Sequence, residues 1–360
     1  MRDTDVAADA AEDAFLEQLE LLGVRIQQPE DTPLFTPEPQ AKMTPMHWKW
    51  SDLAPLMDEL QERLQLVPGG GRRTLKLANP GLPYGTTPTF WASIQYILPG
   101  EVATAHRHTP EAFRFVMYGK GCRTTVDGEN YEMNAGDLVL TPSWAWHDHV
   151  HHGDEPMIWL DVLDISLVRS FEATFYEDFC EDVQEVSDTP QASYQQFGSG
   201  LLRPPGAPST SSANPLLAYP KAQTEAALEA ASGLPADPAN DVILEYQNPT
   251  NGGPAMYSMS MKAQLLRPGF RGALHRELGS KVYWAIEGSG TLVVGEQEFN
   301  WTAGDFLAVP SWVPHRHENR GDAPARLFRV DDSPVLRAMG IFREETLPND
   351  WTPGGKVTAH

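Results

Sequence analysis

The chain has 360 residues, 41% of them hydrophobic and 10 of them Trp, enough apolar material for two cores and too much for a disordered chain. Its 27 Lys and Arg stand against 49 Asp and Glu, a net charge of −22 that leaves no basic surface for phosphates and excludes nucleic acid as a partner. The two cysteines, Cys122 and Cys180, make no disulfide framework and point to a reducing cytoplasm. The acidic start Met1-Arg2-Asp3-Thr4-Asp5 lacks the bases of a signal peptide, and no apolar run approaches the ~18 residues of a membrane helix.

Residues 5–23 read as an acidic amphipathic helix with Phe15, Leu19 and Leu22 on one side. Pro29, Pro33, Pro37 and Pro39 then punctuate an extended arm. A second helix is expected from Ser51, with Leu53, Leu56, Met57, Leu60 and Leu64 on one stripe and Pro55 tolerated in the first turn. Residues 1–87 are thus a helical arm and lid. Gly69-Gly70-Gly71 leads from it into Arg72 and Arg73, just ahead of a strand.

The chemistry gathers between Glu101 and His149. His106 and His108 alternate along a strand and share one face, and His147 follows on a later strand of the same turn-punctuated meander. Gly119, Gly121, Gly128 and Gly136 mark those turns. Three imidazoles converging inside a small all-β barrel make a metal site. His149, two residues past His147, has the same parity, and so does Arg114 relative to His108. His151 and His152 lie beyond, next to a polar turn, and are expected in solvent. Asp161 stands among apolar neighbours in Met157–Leu163, so it belongs to an ion pair or to the site.

Residues 167–186 are read as helical, 187–215 as a Ser/Pro/Gly-rich linker, and 220–232 as a short helix. The second half then repeats the first. His275 lies 169 residues after His106, and Gly304-Asp305, Pro310 and His315 lie 168 after Gly136-Asp137, Pro142 and His147. In this copy Glu277 replaces His108 and Tyr283 replaces Arg114. His275, Glu277 and His315 remain a candidate two-histidine, one-carboxylate metal set.

The spacing G-x5-H-x-H, opened by Gly100, and G-D-x4-P-x4-H, opened by Gly136, resembles the cupin fold. Where most cupins add a glutamate after the second histidine, this chain has Ala112 and Phe113. With 77–82, 105–121, 141–149 and 153–164, the chain resembles the gentisate 1,2-dioxygenase family, including its salicylate and 1-hydroxy-2-naphthoate relatives. The resemblance implies a bicupin: barrels at 88–166 and 251–335, a linker at 167–250 and a tail at 336–360. It implies one Fe(II) per subunit on His106, His108 and His147, with the second repeat lacking metal. It further implies a substrate carboxylate held by Arg72, Arg73 and Arg114, an aromatic ring against Trp91, and His149 and Asp161 behind the metal. Substrates would be dioxygen and a small aromatic hydroxy acid, gentisate giving maleylpyruvate, and the assembly a homotetramer in the cytoplasm. Salicylate or 1-hydroxy-2-naphthoate cleavage is the alternative within the family, and a metal-binding cupin without redox work, an isomerase, lyase or sensor, the alternative outside it.

Overall fold

The protein is described by a computed structural model over residues 13–26, 35–64, 73–202, 204–205, 213–348 and 351. Residues 13–21 form a helix; the expected start at residue 5 lies outside the described residues. Residues 41–360 form a separate, β-rich unit.

Two barrels make up that unit, each a six-stranded sheet facing a five-stranded one. The first sets Ala218–Tyr219, Leu138–Thr141, Ala112–Tyr118, Met157–Leu163, Trp91–Ile97 and Thr74–Lys76, in that order, against Tyr176–Asp178, Val102–His108, His147–His151, Lys120–Val126 and Glu129–Asn134. The second repeats the plan with Phe306–Val309, Lys281–Glu287, Ala325–Asp331 and Ser260–Leu266 facing Ser289–Val294, His315–Glu318 and His275–Glu277. Pairing is antiparallel throughout, as expected for a meander.

The outer faces of the two six-stranded sheets share one hydrophobic core. Phe115 lies 4.3 Å from Phe328 and 5.4 Å from Trp284, centroid to centroid, and Phe113 lies 5.6 Å from Phe328. Period-two alternation then sends Arg114 and Val116 into the first barrel, so six of the seven residues of Ala112–Tyr118 are buried.

Each barrel is closed by an arm that precedes the other barrel's strands. Met46–Trp48 pairs with Phe306–Val309 of the second barrel, and Ala218–Tyr219 pairs with Leu138–Thr141 of the first. Behind each arm strand comes a helix, Trp50–Arg63 or Lys221–Ser232. The two Gly-Asp turns receive them. Asp305 accepts from Trp50 N at 2.8 Å and Thr302 N at 3.0 Å and meets His47 Nε2 at 2.8 Å, while Asp137 accepts from Lys221 N at 2.9 Å and Asn134 N at 3.0 Å. Gly304 and Gly136 have φ of 95° and 94°, and a Cβ there would come within 2.7 Å of Trp50 or 2.6 Å of Lys221. A glycine before the aspartate is therefore required twice over.

Three expectations change. Residues 167–186 are not one helix: a short helix, Ile165–Ser170, gives way to the strand Tyr176–Asp178, which pairs with Val102–His108. Satisfying that sheet edge wins over the local acidic pattern. On Trp50–Arg63 the buried stripe narrows around Met57, and Leu56 and Leu64 are exposed. The linker carries its own helix, Ala192–Phe197. Among the described residues no helix is long and apolar enough to cross a membrane.

Asp305→Ala strips an anionic acceptor from a helix start, a turn and His47 together. A loss of roughly 2–4 kcal/mol in urea unfolding is expected; a loss below about 0.5 kcal/mol would mean that strand pairing alone holds the arm. Glu111 is the second test. It lies buried at the start of Ala112–Tyr118 and accepts from Tyr257 N at 3.3 Å. Burial, and then the nearby Asp164, push its carboxyl up to about 8. The folded state therefore binds this proton more tightly than the unfolded chain, and the group costs stability as pH rises from the ordinary carboxyl range through about 8. Glu111→Gln should remove on the order of 3 kcal/mol of that loss between pH 5 and 8.5; parallel stability-versus-pH curves for the two proteins would contradict the assignment.

Candidate metal centre and active site

In Val102–His108 the alternation turns His106 and His108 inward and Arg107 outward, and the neighbouring strand sets His147 directly opposite His106. One ligand atom from each histidine lies within 4.8 Å of the others. Ring centroids are 4.2 Å apart for His106 and His147, 4.8 Å for His108 and His147, and 5.5 Å for His106 and His108.

Backbone carbonyls fix the tautomers. The Nδ1 atoms of His106, His108 and His147 sit 2.8, 2.8 and 3.0 Å from the carbonyls of Thr104, Pro110 and Ala145. A carbonyl only accepts, so Nδ1 carries the proton and Nε2 presents a lone pair. His147 Nε2 is fully buried and has no hydrogen-bond partner. Burial, then Arg114 and the two other rings, hold His147 well below the usual imidazole range, so it stays neutral. Three converging imidazole nitrogens, one of them on a neutral, fully buried ring, fit a divalent transition metal.

The opposite wall is polar in register. Ser93, Asp161, Arg114 and Val139 lie side by side across the six-stranded sheet. Arg114 donates from Nη1 to Thr141 Oγ1 at 2.6 Å, and its Nε lies 3.5 Å from Asp161 Oδ1. Neither that Nε nor that oxygen has a hydrogen bond, and Trp159 Nε1 is also buried without one. His149 is buried between His147, 6.2 Å away ring to ring, and Trp159, 5.4 Å away. This is a pocket with donors left over, which is what an anionic ligand needs.

The expected residues divide as follows. His106, His108, His147, His149, Arg114 and Asp161 come together. Trp91 begins the strand beside Ser93, half-buried, edge-on to Tyr84 at 5.0 Å with Lys76 over its ring at 5.2 Å. Arg72 lies outside the described residues. Arg73, expected as a substrate anchor, is buried at the Leu98–Glu101 turn, donating to Leu64 O at 2.6 Å and Glu101 Oε2 at 2.5 Å. Glu101 stands five residues from His106 along the chain, on the order of 16 Å of strand. His151 is not in solvent either. It is buried, with Nδ1 3.0 Å from Gly121 O and Nε2 2.7 Å from Glu155 O, whereas His152 is exposed as expected.

Sequence reasoning missed Trp159 and a clamp on the outside of the metal strand. Arg107 stacks 4.4 Å from Trp144 and 4.3 Å from Trp146 and pairs with Glu177, while Tyr176 stacks on His106 at 5.4 Å. The clamp ties the His106–His108 strand to the loop that delivers His147. The second repeat builds it again: Arg276 lies 4.6 Å from Trp312 and pairs with Glu345, and Trp144 and Trp312 share a φ near +64°. The offset of 168–169 residues, extended to these positions, was the available signal. That repeat also holds an inward arginine after all, Arg329, on the strand equivalent to Asp161's rather than Arg114's.

The cupin domain model matches residues 93–163 and 263–331, one per barrel. The chain is 40% identical over 316 residues to a gentisate 1,2-dioxygenase from Streptomyces sp, covering 85% of this chain and 87% of that one. It belongs to the gentisate 1,2-dioxygenase family. A 1-hydroxy-2-naphthoate 1,2-dioxygenase from Nocardioides sp. (strain KP7) is 37% identical over 314 residues, 85% of this chain and 80% of that one. Salicylate 1,2-dioxygenase from Pseudoaminobacter salicylatoxidans, solved as an adduct with gentisate, superposes with a TM-score of 0.86 at 34% identity, over 93% of this chain and 94% of that one. As a gentisate 1,2-dioxygenase-like protein, the chain is a metal-dependent oxidoreductase that incorporates dioxygen into an aromatic acid and opens its ring. The pocket just described is where this family member carries its three-histidine set.

Arg107→Ala removes two cation–π contacts and an ion pair, roughly 1–3 kcal/mol together. We expect the variant to stay folded but to lose metal faster than wild type in dialysis against a chelator, with Arg107→Lys intermediate. Equal loss rates for all three would leave the clamp without influence on the centre.

Proposed function

We propose that the protein cleaves gentisate between its carboxyl- and hydroxyl-bearing carbons, giving maleylpyruvate, with one catalytic Fe(II) held by His106, His108 and His147. The observation that carries this is the pairing of three converging imidazole lone pairs with a buried guanidinium whose Nε has no hydrogen-bond partner. Ferrous iron, when bound, supplies the redox chemistry that lets dioxygen attack an aromatic ring. Every other task falls to the chain. Arg114 neutralises the substrate carboxylate, with Thr141 and Asp161 holding the guanidinium in place. Trp159 has a buried Nε1 left for a substrate hydroxyl group, and His149 packs beside it. Buried strands on both sides exclude water from the ring and strengthen those polar contacts. The choice of gentisate over salicylate and 1-hydroxy-2-naphthoate rests on further polar side chains in this wall, Ser93 and Gln95, both buried and in register with Asp161 and Trp159, as partners for a second hydroxyl. The relatives named for those acids make them the direct comparison.

Oxygen uptake by iron-reconstituted protein, with each of the three acids in turn, tests the substrate, and gentisate should give the highest kcat/KM. His147→Ala should lose iron and activity together. Arg114→Ala should keep its iron but lose roughly 1.5–3 kcal/mol of transition-state binding, a tenfold to hundredfold fall in kcat/KM. Full activity in either variant would overturn its assigned role, and no uptake with any of the acids would overturn the reaction.

A further inference from the structure

The second barrel carries a cluster that ring cleavage does not use. His275 pairs in register with His315, and their rings lie 4.2 Å apart, the same separation as His106 and His147. Glu277 joins them, one ligand atom from each residue lying within 4.8 Å of the others. Their tautomers are fixed as in the first barrel: His275 Nδ1 faces Ala273 O at 3.1 Å and His315 Nδ1 faces Val313 O at 2.9 Å. Both Nε2 lone pairs are therefore turned inward, buried and without a hydrogen-bond partner. Two such lone pairs beside a carboxylate are unfavourable unless a cation stands between them.

We propose that His275, Glu277 and His315 form a second divalent-metal site, of the class that takes Fe(II), Mn(II), Co(II) or Zn(II). Resemblance alone had implied a metal-free repeat; the geometry points the other way, independently of the ring-cleaving reaction. Glu277 pairs with Arg329 Nη2 at 2.8 Å and Lys281 Nζ at 3.4 Å, with Arg329 also on Asp331 at 2.8 Å and Lys262 on Asp331 at 2.6 Å and Glu245 at 3.9 Å. Arg329, Lys281 and Lys262 thus meet Glu277, Asp331 and Glu245, whereas the first centre faces one Arg114–Asp161 pair. Arg329 and Lys281 both sit on Glu277 and compete with a metal ion for its carboxylate, so the second ion is held more weakly than the first. It also does not handle the aromatic acid. Tyr283 occupies the place of Arg114, and the guanidinium of Arg329 is already committed to Glu277 and Asp331. The site thus binds metal without an anchor for a substrate carboxylate.

Equilibrium dialysis of the metal-stripped, full-length protein against Co(II), with metal counted by elemental analysis, decides the matter. Wild type should take two equivalents in two steps of different affinity. His147→Ala should retain one, the weaker, and Glu277→Gln and His275→Ala should each retain one, the tighter. Glu277→Gln preserves shape and guards against loss of fold. A single equivalent in wild type with none in His147→Ala overturns the proposal, as do two equivalents persisting in both Glu277→Gln and His275→Ala.

Discussion

Back-to-back packing of the two six-stranded sheets is the constraint on which the rest depends. It buries residues 112–117 of the strand Ala112–Tyr118 on both faces, with Phe113 and Phe115 meeting Phe328 and Trp284 outside the barrel and Arg114 turned inside. Aromatic rings of this size bury ~150–250 Å² each. At ~25 cal/mol per Å² that is roughly 4–6 kcal/mol per ring as an upper bound. Several rings along this seam outweigh the few kcal/mol that a partly satisfied guanidinium costs. The apolar outer face is what allows a polar inner one.

Within the barrel the two walls have complementary electrical characters. The five-stranded wall offers imidazoles, each oriented by a backbone carbonyl two residues away along the chain. Such carbonyls move only if the strand moves, so the ligand set is as rigid as the sheet. The six-stranded wall offers charge, in Arg114 and Asp161 at 3.5 Å. An aromatic hydroxy acid has matching ends, a carboxylate for the guanidinium and a chelating edge for the metal. The second barrel keeps the imidazoles but moves its arginine one strand over and gives its charge to a carboxylate within the ligand set. Three substituted positions, Glu277 for His108, Tyr283 for Arg114 and Arg329 for Asp161, separate a pocket for an acid from one lined by its own ion pairs.

Much of this was legible in the sequence, because turn glycines, strand alternation and the shared offset of the two halves are local signals. His106, His108, His147 and Arg114 could be placed on one interior by parity alone. The anchoring role of Arg73 came from the resemblance and not from parity, and no local signal announced its contacts at the Leu98–Glu101 turn. His151 failed for a related reason: its strand runs one residue further than the polar composition after it indicated. The strand Tyr176–Asp178 exists only because an edge of the metal-bearing sheet was free to pair, a demand made by residues some seventy positions earlier. Arg107 was hidden by the same parity that revealed its neighbours, since an outward side chain between two ligands reads as solvated.

The exchange of arms between the halves also sets an order of events. His47 and Asp305 meet across 258 positions of chain, while Lys221 and Asp137 meet across 84. During synthesis the first barrel can therefore be closed by its own downstream arm while the second is still being made. The segment Met46–Trp48 has no partner until Phe306–Val309 emerges, and through that interval it is an unpaired strand beside a helix with a half-apolar face. Long-range closure of this kind is slow, since the loop entropy is lost before the contacts that repay it are formed. The duplicated plan that gives each barrel a lid thus leaves the leading segment of the fold to be the last one placed, and the second barrel's edge open to other strands until it arrives.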